Sequence, residues 1–273
     1  INFVKKIFNI YMGRNKVVII FDLDETIGHF WQIGKLWEGL KTYEEKKFNK
    51  NDFYKLLDLH PFVFRPKIFE IFKYLKRVKE KDKNVKVIIY SNNMGTPKWA
   101  NMIKTYIEKK INYKLFDEVI TAWKVNGIIY EKCRTTNEKT YKEILKCGNL
   151  NKNTKIFFVD DAHHPKMYHK NVEYLHIKDW KFKYDINKMI NNFLRKCEKK
   201  ISNKKIEELK KNLPKFIKDQ NWGYIRYRNS NTPNTEEINR GKKLMTSIMD
   251  FLKKNNKKSR NKRRRKSRFT RRN

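Results

Sequence analysis

Three short, densely apolar runs each end in residues that could take part in phosphoryl chemistry. KVVIIF (16–21) leads into Asp22-Leu23-Asp24-Glu25-Thr26, VKVIIY (85–90) into Ser91-Asn92-Asn93, and KIFFV (155–159) into Asp160-Asp161. A carboxylate can attack a phosphoester when a divalent cation and nearby cationic groups offset the repulsion between two anions. The product is an aspartyl-phosphate that water then hydrolyses. Asp22, at the tip of the first run, is the candidate nucleophile. Asp24, two residues along in extended backbone, projects to the same side and is the candidate acid and base, protonating the leaving oxygen and then deprotonating water.

Magnesium takes oxygen ligands in octahedral geometry and usually only a few of them from protein. Asp22, Asp24 through its backbone carbonyl, and the Asp160-Asp161 pair form the expected metal set. Phosphate oxygens need donors. Ser91 is the expected hydroxyl donor, Thr26 and Asn92 are expected beside it, and a lysine is expected to complete the set. Lys139 is the first choice because it precedes the helical run 141–146 that leads into the third strand, and Lys142 competes with it.

The elements that must position these residues follow from the pattern. Runs this rich in Val, Ile and Phe read as parallel strands buried on both faces. Between them, 66–79 and 97–110 place apolar residues at helical spacing. The alternation predicts an α/β fold, a three-layer Rossmann-like sheet with right-handed crossovers and ligands at the C-terminal strand edge. Residues 118–125 and 128–130 flank Asn126-Gly127, the strongest short hairpin signal, and predict a small β-hairpin insertion. Helical patterns return at 185–201, 203–216 and 236–252, with a polar break at 230–235. The expected organisation is a catalytic domain over 1–184, a helical extension over 185–252 and a disordered basic tail over 253–273, too poor in apolar residues to fold alone.

The chain has 273 residues, with 66 Lys and Arg against 29 Asp and Glu, a formal charge of +37. Thirteen of these positive charges and no acid fall in 253–273, leaving +24 on residues 1–252. Such a field draws polyanions: nucleic acid, acidic membranes or phosphorylated proteins. A Lys- and Asn-rich compositional bias would produce the same basic body. The tail run Lys262-Arg263-Arg264-Arg265-Lys266 reads as nuclear localisation or nonspecific nucleic-acid binding. Cys133, Cys147 and Cys197 lack CxxC spacing and are expected to be unpaired, which points to a reducing compartment, nuclear or cytoplasmic. No apolar stretch approaches the ~20 residues of a membrane span. The start, Ile1-Asn2-Phe3, lacks both an initiator Met and a cleavage signal, so the N-terminus is expected to be trimmed or incomplete.

DLDET, a Ser ending the second strand, a Lys before the last helix and Asp-Asp ending the third resemble the four motifs of the haloacid dehalogenase superfamily. The similarity extends over residues 16 to about 180. Within it, Phe64-Arg65-Pro66, the IIYSNN run, the hairpin before Cys133-Arg134-Thr135 and FFVDDAHHP are similar to the CTD-type, NLI-interacting-factor-like phosphatases, including divergent copies in large DNA viruses. The resemblance implies Asp22 as nucleophile, Asp24 as acid/base and Mg²⁺ as cofactor. It also implies phosphoserine or phosphothreonine on a protein as substrate. Two departures stand out: Tyr90-Ser91-Asn92 replaces the usual Thr-Ala-Ser, and the stretch from hairpin to Asp160 is long.

Other readings compete. His163, His164, His169 and His176 invite zinc, but no finger or helical spacing links them. Arg65 before Pro66 is read as structural, and Trp31, Trp37, Trp99 and Trp123 as packing. A phosphatase for nucleic-acid ends, or a non-catalytic basic scaffold, would also fit the charge.

Overall fold

The computed structural model describes residues 17–93, 97–219 and 232–269, with only the helix backbone over 256–269. In chain order the elements are β1 (Val17–Phe21), α1 (Trp31–Tyr43), α2 (Lys50–Leu59), α3 (Ile68–Lys81), β2 (Val85–Tyr90), α4 (Pro97–Ile111), β3 (Glu118–Ile120), β4 (Lys124–Val125), β5 (Ile128–Ile129), α5 (Tyr141–Cys147), β6 (Lys155–Asp160), β7 (Val172–His176), α6 (Ile186–Arg195), α7 (Asn203–Asp219) and α8 (Thr235–Phe269). Short 3₁₀ turns cover Pro61–Val63 and Pro165–Met167.

The chain divides into two compact units that are not consecutive in sequence. The first comprises 1–23, 67–178 and 239–273, and the second 24–66 and 179–238. The boundary expected at residue 184 falls inside the second.

The first unit is built on a five-stranded sheet in the order β3-β2-β1-β6-β7, with every pairing parallel. The fold is thus α/β, a parallel sheet flanked by helices, consistent with a Rossmann-like arrangement. Val18, Ile19, Ile20 and Phe21 of β1 are fully buried, as a central strand covered on both faces must be. One core cluster joins Val18, Ile20, Ile88, Tyr90, Ile156 and Phe158. In α3, Ile68, Ile71, Phe72 and Leu75 form the buried face, and Phe72 meets Phe21 edge-on at 5.6 Å.

Several expectations are corrected. Residues 118–120 are not an arm of the hairpin: β3 pairs parallel with β2, Ile88↔Glu118 through Tyr90↔Ile120, and forms a sheet edge. The hairpin shrinks to two residues per strand around Asn126 (φ 48°) and Gly127 (φ 84°). Two successive positive φ values are the type I′ geometry that Asn-Gly favours. Helix α8 does not stop at Leu252 but continues to Phe269. Lys and Arg are good helix formers, and the segment is anchored where Leu244, Ile248, Phe251 and Leu252 are buried, Phe251 lying 5.2 Å from Phe157. Residues 270–273, residues 230–231 of the polar break and the N-terminal residues 1–16 lie outside the described residues.

The cysteine expectation also fails. Cys133 and Cys147, with Cα atoms 5.2 Å apart, form a disulfide, and Cys197 is free and buried. The inference of a reducing compartment from unpaired cysteines therefore lapses. Among the described residues no helix is long and apolar enough to cross a membrane.

The second unit gathers α1, α2, α6 and α7. Gly39 of α1 lets Leu213 and Phe216 of α7 approach; a Cβ there would lie 2.8 Å from Leu213. Gln32 and Tyr184 exchange two hydrogen bonds, at 2.9 and 2.8 Å. Asp52 caps α2 and accepts from Lys200 at 2.7 Å.

Candidate functional site

Parallel register sets the site. Phe21 lies opposite Ile89 on one side and Val159 on the other, so Asp22 emerges at the C-terminal edge where β2 and β6 also end. Its amide donates to the Val159 carbonyl at 2.9 Å, fixing the backbone at the point of exit. Asp22 is 7% exposed and Asp160 1%.

Between these two carboxylates lies Lys139. Its Nζ donates to Asp22 Oδ1 at 2.5 Å and to Asp160 Oδ2 at 2.7 Å, with the rings of Tyr90 and Phe158 at 5.6 and 6.0 Å. Burial alone would push the Lys139 ammonium down, but Asp22 and Asp160 overturn this and hold it above its usual range. Burial likewise pushes the Asp160 carboxyl up, while Lys139 and His164 outweigh it and bring it below the ordinary value. His164 Nε2 is 3.3 Å from Asp160 Oδ2, and the Ala162 amide donates to Asp160 Oδ1 at 2.9 Å.

The loop that delivers Lys139 is held from beneath by charged groups. The Glu143 carboxylate accepts from the Thr135 amide at 2.6 Å, the Thr135 hydroxyl at 3.0 Å and the Thr136 amide at 3.2 Å. Arg134, 2% exposed, donates to the carbonyls of Thr121 at 2.8 Å, Glu138 at 3.2 Å and Ser91 at 3.4 Å. Its guanidinium also stacks 4.8 Å from the Tyr90 ring centre. The sequence reading missed Glu143 and the bracing role of Arg134. Thr140 followed three residues later by Glu143 is a capping-box pattern that draws attention to Glu143 but not to its bond to the loop or to Arg134. Thr140 does accept from the Glu143 amide at 3.1 Å, while the Glu143 carboxylate turns to Thr135 and Thr136.

Asp22, Lys139, Asp160 and Asp161 are therefore brought together in the first unit. Lys142 is exposed on α5. Ser91 is buried just past β2, its Oγ accepting from the Asn93 amide at 3.0 Å. Asn92 spends an amide proton on the Asn137 carbonyl at 2.6 Å, tying the β2 edge to the Lys139 loop. Asp24 and Thr26 open the second unit. There Asp24 makes an isolated bridge with Gly28, and Arg65 donates to the Thr26 and Glu25 carbonyls, each at 2.6 Å. These two bonds tie Arg65 to the turn carbonyls that follow Asp24, not to the helix start that its position before Pro66 suggested.

Carboxylate oxygens of Asp22, Asp160 and Asp161 all lie within 4.8 Å of one another. Three carboxylates against one ammonium leave a surplus of two negative charges, and the donor set is oxygen alone. Both properties fit a hard divalent cation. Of the four histidines, His164 reaches the Asp160 carboxylate, His176 Nε2 is on the Asp161 carbonyl at 2.8 Å and His169 is stacked on Tyr141 at 3.8 Å. No family model, curated protein or solved structure matches the chain.

Proposed function

We propose that the chain is a Mg²⁺-dependent phosphomonoesterase that works through an aspartyl-phosphate on Asp22. The observation that carries this reading is the buried Lys139 ammonium shared between Asp22 and Asp160 at the C-terminal edge of the sheet. A carboxylate that is nearly buried and beside a fixed cation is equipped to attack an anionic ester. An unpaired one would be protonated or repelled.

In this reading Asp22 Oδ attacks phosphorus in line with the departing oxygen, and the P–O bond to the leaving group breaks as the Asp22–phosphorus bond forms. Asp24 gives its proton to the leaving oxygen and then takes one from the water that releases phosphate. Its assignment rests on the two-residue spacing in DLDET. Lys139 neutralises the equatorial phosphoryl oxygens, with Ser91, Thr26 and Asn92 as further expected donors. Asp22, Asp160, Asp161 and the Asp24 carbonyl would hold Mg²⁺, which supplies charge neutralisation of the phosphoryl group.

The resemblance to haloacid dehalogenase and CTD-type phosphatases supports the same chemistry and implies phosphoserine or phosphothreonine of a protein as substrate. The formal charge of +37 favours a second reading, a phosphate at a nucleic-acid end. The chemistry is tested by hydrolysis of an aryl phosphate with Mg²⁺. Wild type turns over, EDTA stops it, and Asp22→Asn is inactive while keeping its circular dichroism. Equal turnover in Asp22→Asn and wild type would refute the nucleophile.

A further inference from the structure

The segment that follows Asp160-Asp161 carries more exposed aromatic surface than packing requires. Tyr168 is 60% exposed, and His163 and His176 are exposed as well. Their rings nevertheless adjoin: His163 lies 5.7 Å from Tyr168 and 6.3 Å from His176, and Tyr168 lies 5.3 Å from Tyr174. Isolated exposed aromatics are ordinary, but a contiguous set beside a polar centre marks a binding surface.

This shelf is fixed to the carboxylate centre. His176 Nε2 bonds the Asp161 carbonyl at 2.8 Å. The Tyr174 hydroxyl donates to the Ala162 carbonyl and accepts from the His164 amide, and His164 reaches Asp160. The backbone that aims Asp160 and Asp161 is therefore the same backbone that supports the rings. Lys170 and Lys178 are interleaved with them and exposed, Lys166 is exposed but paired with Glu138, and Glu173, the one acid between His163 and Lys178, is engaged by Lys254 at 3.3 Å. Flat π faces among lysines match single-stranded nucleic acid, whose bases stack while its backbone seeks positive charge.

We infer that Tyr168, with His163 and His176, is a stacking subsite for the terminal base of a single-stranded nucleic acid whose end phosphate enters the Asp22–Asp160–Lys139 centre. The inference rests on the phosphomonoesterase reading and names its substrate class. A phosphopeptide has no base to place on the rings and is the alternative that the test admits.

The test is equilibrium binding to full-length Asp22→Asn, which removes turnover, using a labelled end-phosphorylated oligonucleotide at two salt concentrations. The same strand ending in an abasic residue is the comparison. The base-bearing end should bind about ten- to a hundredfold tighter than the abasic one. In Asp22→Asn with Tyr168→Ala the two ends should bind alike, and Tyr168→Trp should restore the preference. Equal binding of both ends to Asp22→Asn, survival of the preference in the Tyr168→Ala variant, or tighter binding of a phosphoserine peptide overturns the inference. Failure of the phosphomonoesterase reading appears separately, as absence of aryl phosphate hydrolysis by wild type with Mg²⁺.

Discussion

The Lys139 ammonium stands 2.5 Å from Asp22 Oδ1 and 2.7 Å from Asp160 Oδ2, with only 2% of its side chain exposed. Removing one member of such a set leaves uncompensated buried charge, at a cost of about 3–5 kcal/mol. Lys139→Met should therefore lower the unfolding midpoint and reduce kcat/KM for an aryl phosphate at least about a hundredfold. Lys139→Arg should not rescue it, because a planar guanidinium does not reproduce the single point charge that Nζ places on both carboxylates. Thermal unfolding and steady-state kinetics on the same preparations check both halves.

The Cys133–Cys147 bond closes a segment of 14 residues around the Lys139 loop. Crosslinks of this length stabilise by about 3 kcal/mol in the chain-entropy view. Reduction, or Cys133→Ser with Cys147→Ser, should lower stability by about that amount. It should also loosen the Thr135–Lys139 backbone first, read as faster amide exchange there than in β1. Uniform exchange across the first unit would refute local bracing.

Acid should destabilise the protein in two stages. Burial keeps His29 and His60 below their usual 6.5, so below that pH the unfolded chain takes up protons that the folded chain does not. Stability then falls as pH drops, with a slope of up to about 1.4 kcal/mol per pH unit for each histidine. Asp52 forms the second stage. Burial pushes its carboxyl up, but hydrogen bonds from Lys200 and the Asn49 amide bring it below 3.8. Its contribution is present above that value and is lost as pH falls through the folded pKa. Denaturant midpoints between pH 8 and 3 should show both stages, and replacing His29 and His60 with Asn should flatten the first.

Arg65 satisfies the Glu25 and Thr26 carbonyls, and the Trp180 amide adds a 2.7 Å bond to Glu25 O. Glu25 is held at φ 54°, a strained region that persists only under such restraint. Arg65→Met should cost about 1–3 kcal/mol through unpaired buried carbonyls and disturb the turn that Asp24 begins. If Asp24 is the proton donor, alkyl phosphates should lose more turnover than nitrophenyl phosphates, whose leaving group needs no proton. Equal losses would remove that role.

The sheet was legible where burial on both faces left an uninterrupted apolar run, as in β1, β2 and β6. It was not legible in β7, whose Val172-Glu173-Tyr174-Leu175-His176 is only half-buried, nor in β3, where a three-residue edge strand resembled a hairpin arm. Asp22, Asp160 and Lys139 were visible because strand ends and a helix start advertise themselves locally. The Arg134–Glu143 bracket and the Cys133–Cys147 bond depend on a loop folding back on α5, which no spacing rule announces. Assembly of α1 and α2 with α6 and α7 joins segments more than a hundred residues apart and lies beyond local pattern.

The most direct measurement is trapping of the covalent intermediate. Wild type is mixed with an aryl phosphate and Mg²⁺, quenched in acid within the first turnover, digested and analysed by mass spectrometry. A phosphoryl group on the peptide containing Asp22, absent in Asp22→Asn and in EDTA, is the expected result. Turnover without any such adduct, or an adduct that persists in Asp22→Asn, would contradict it.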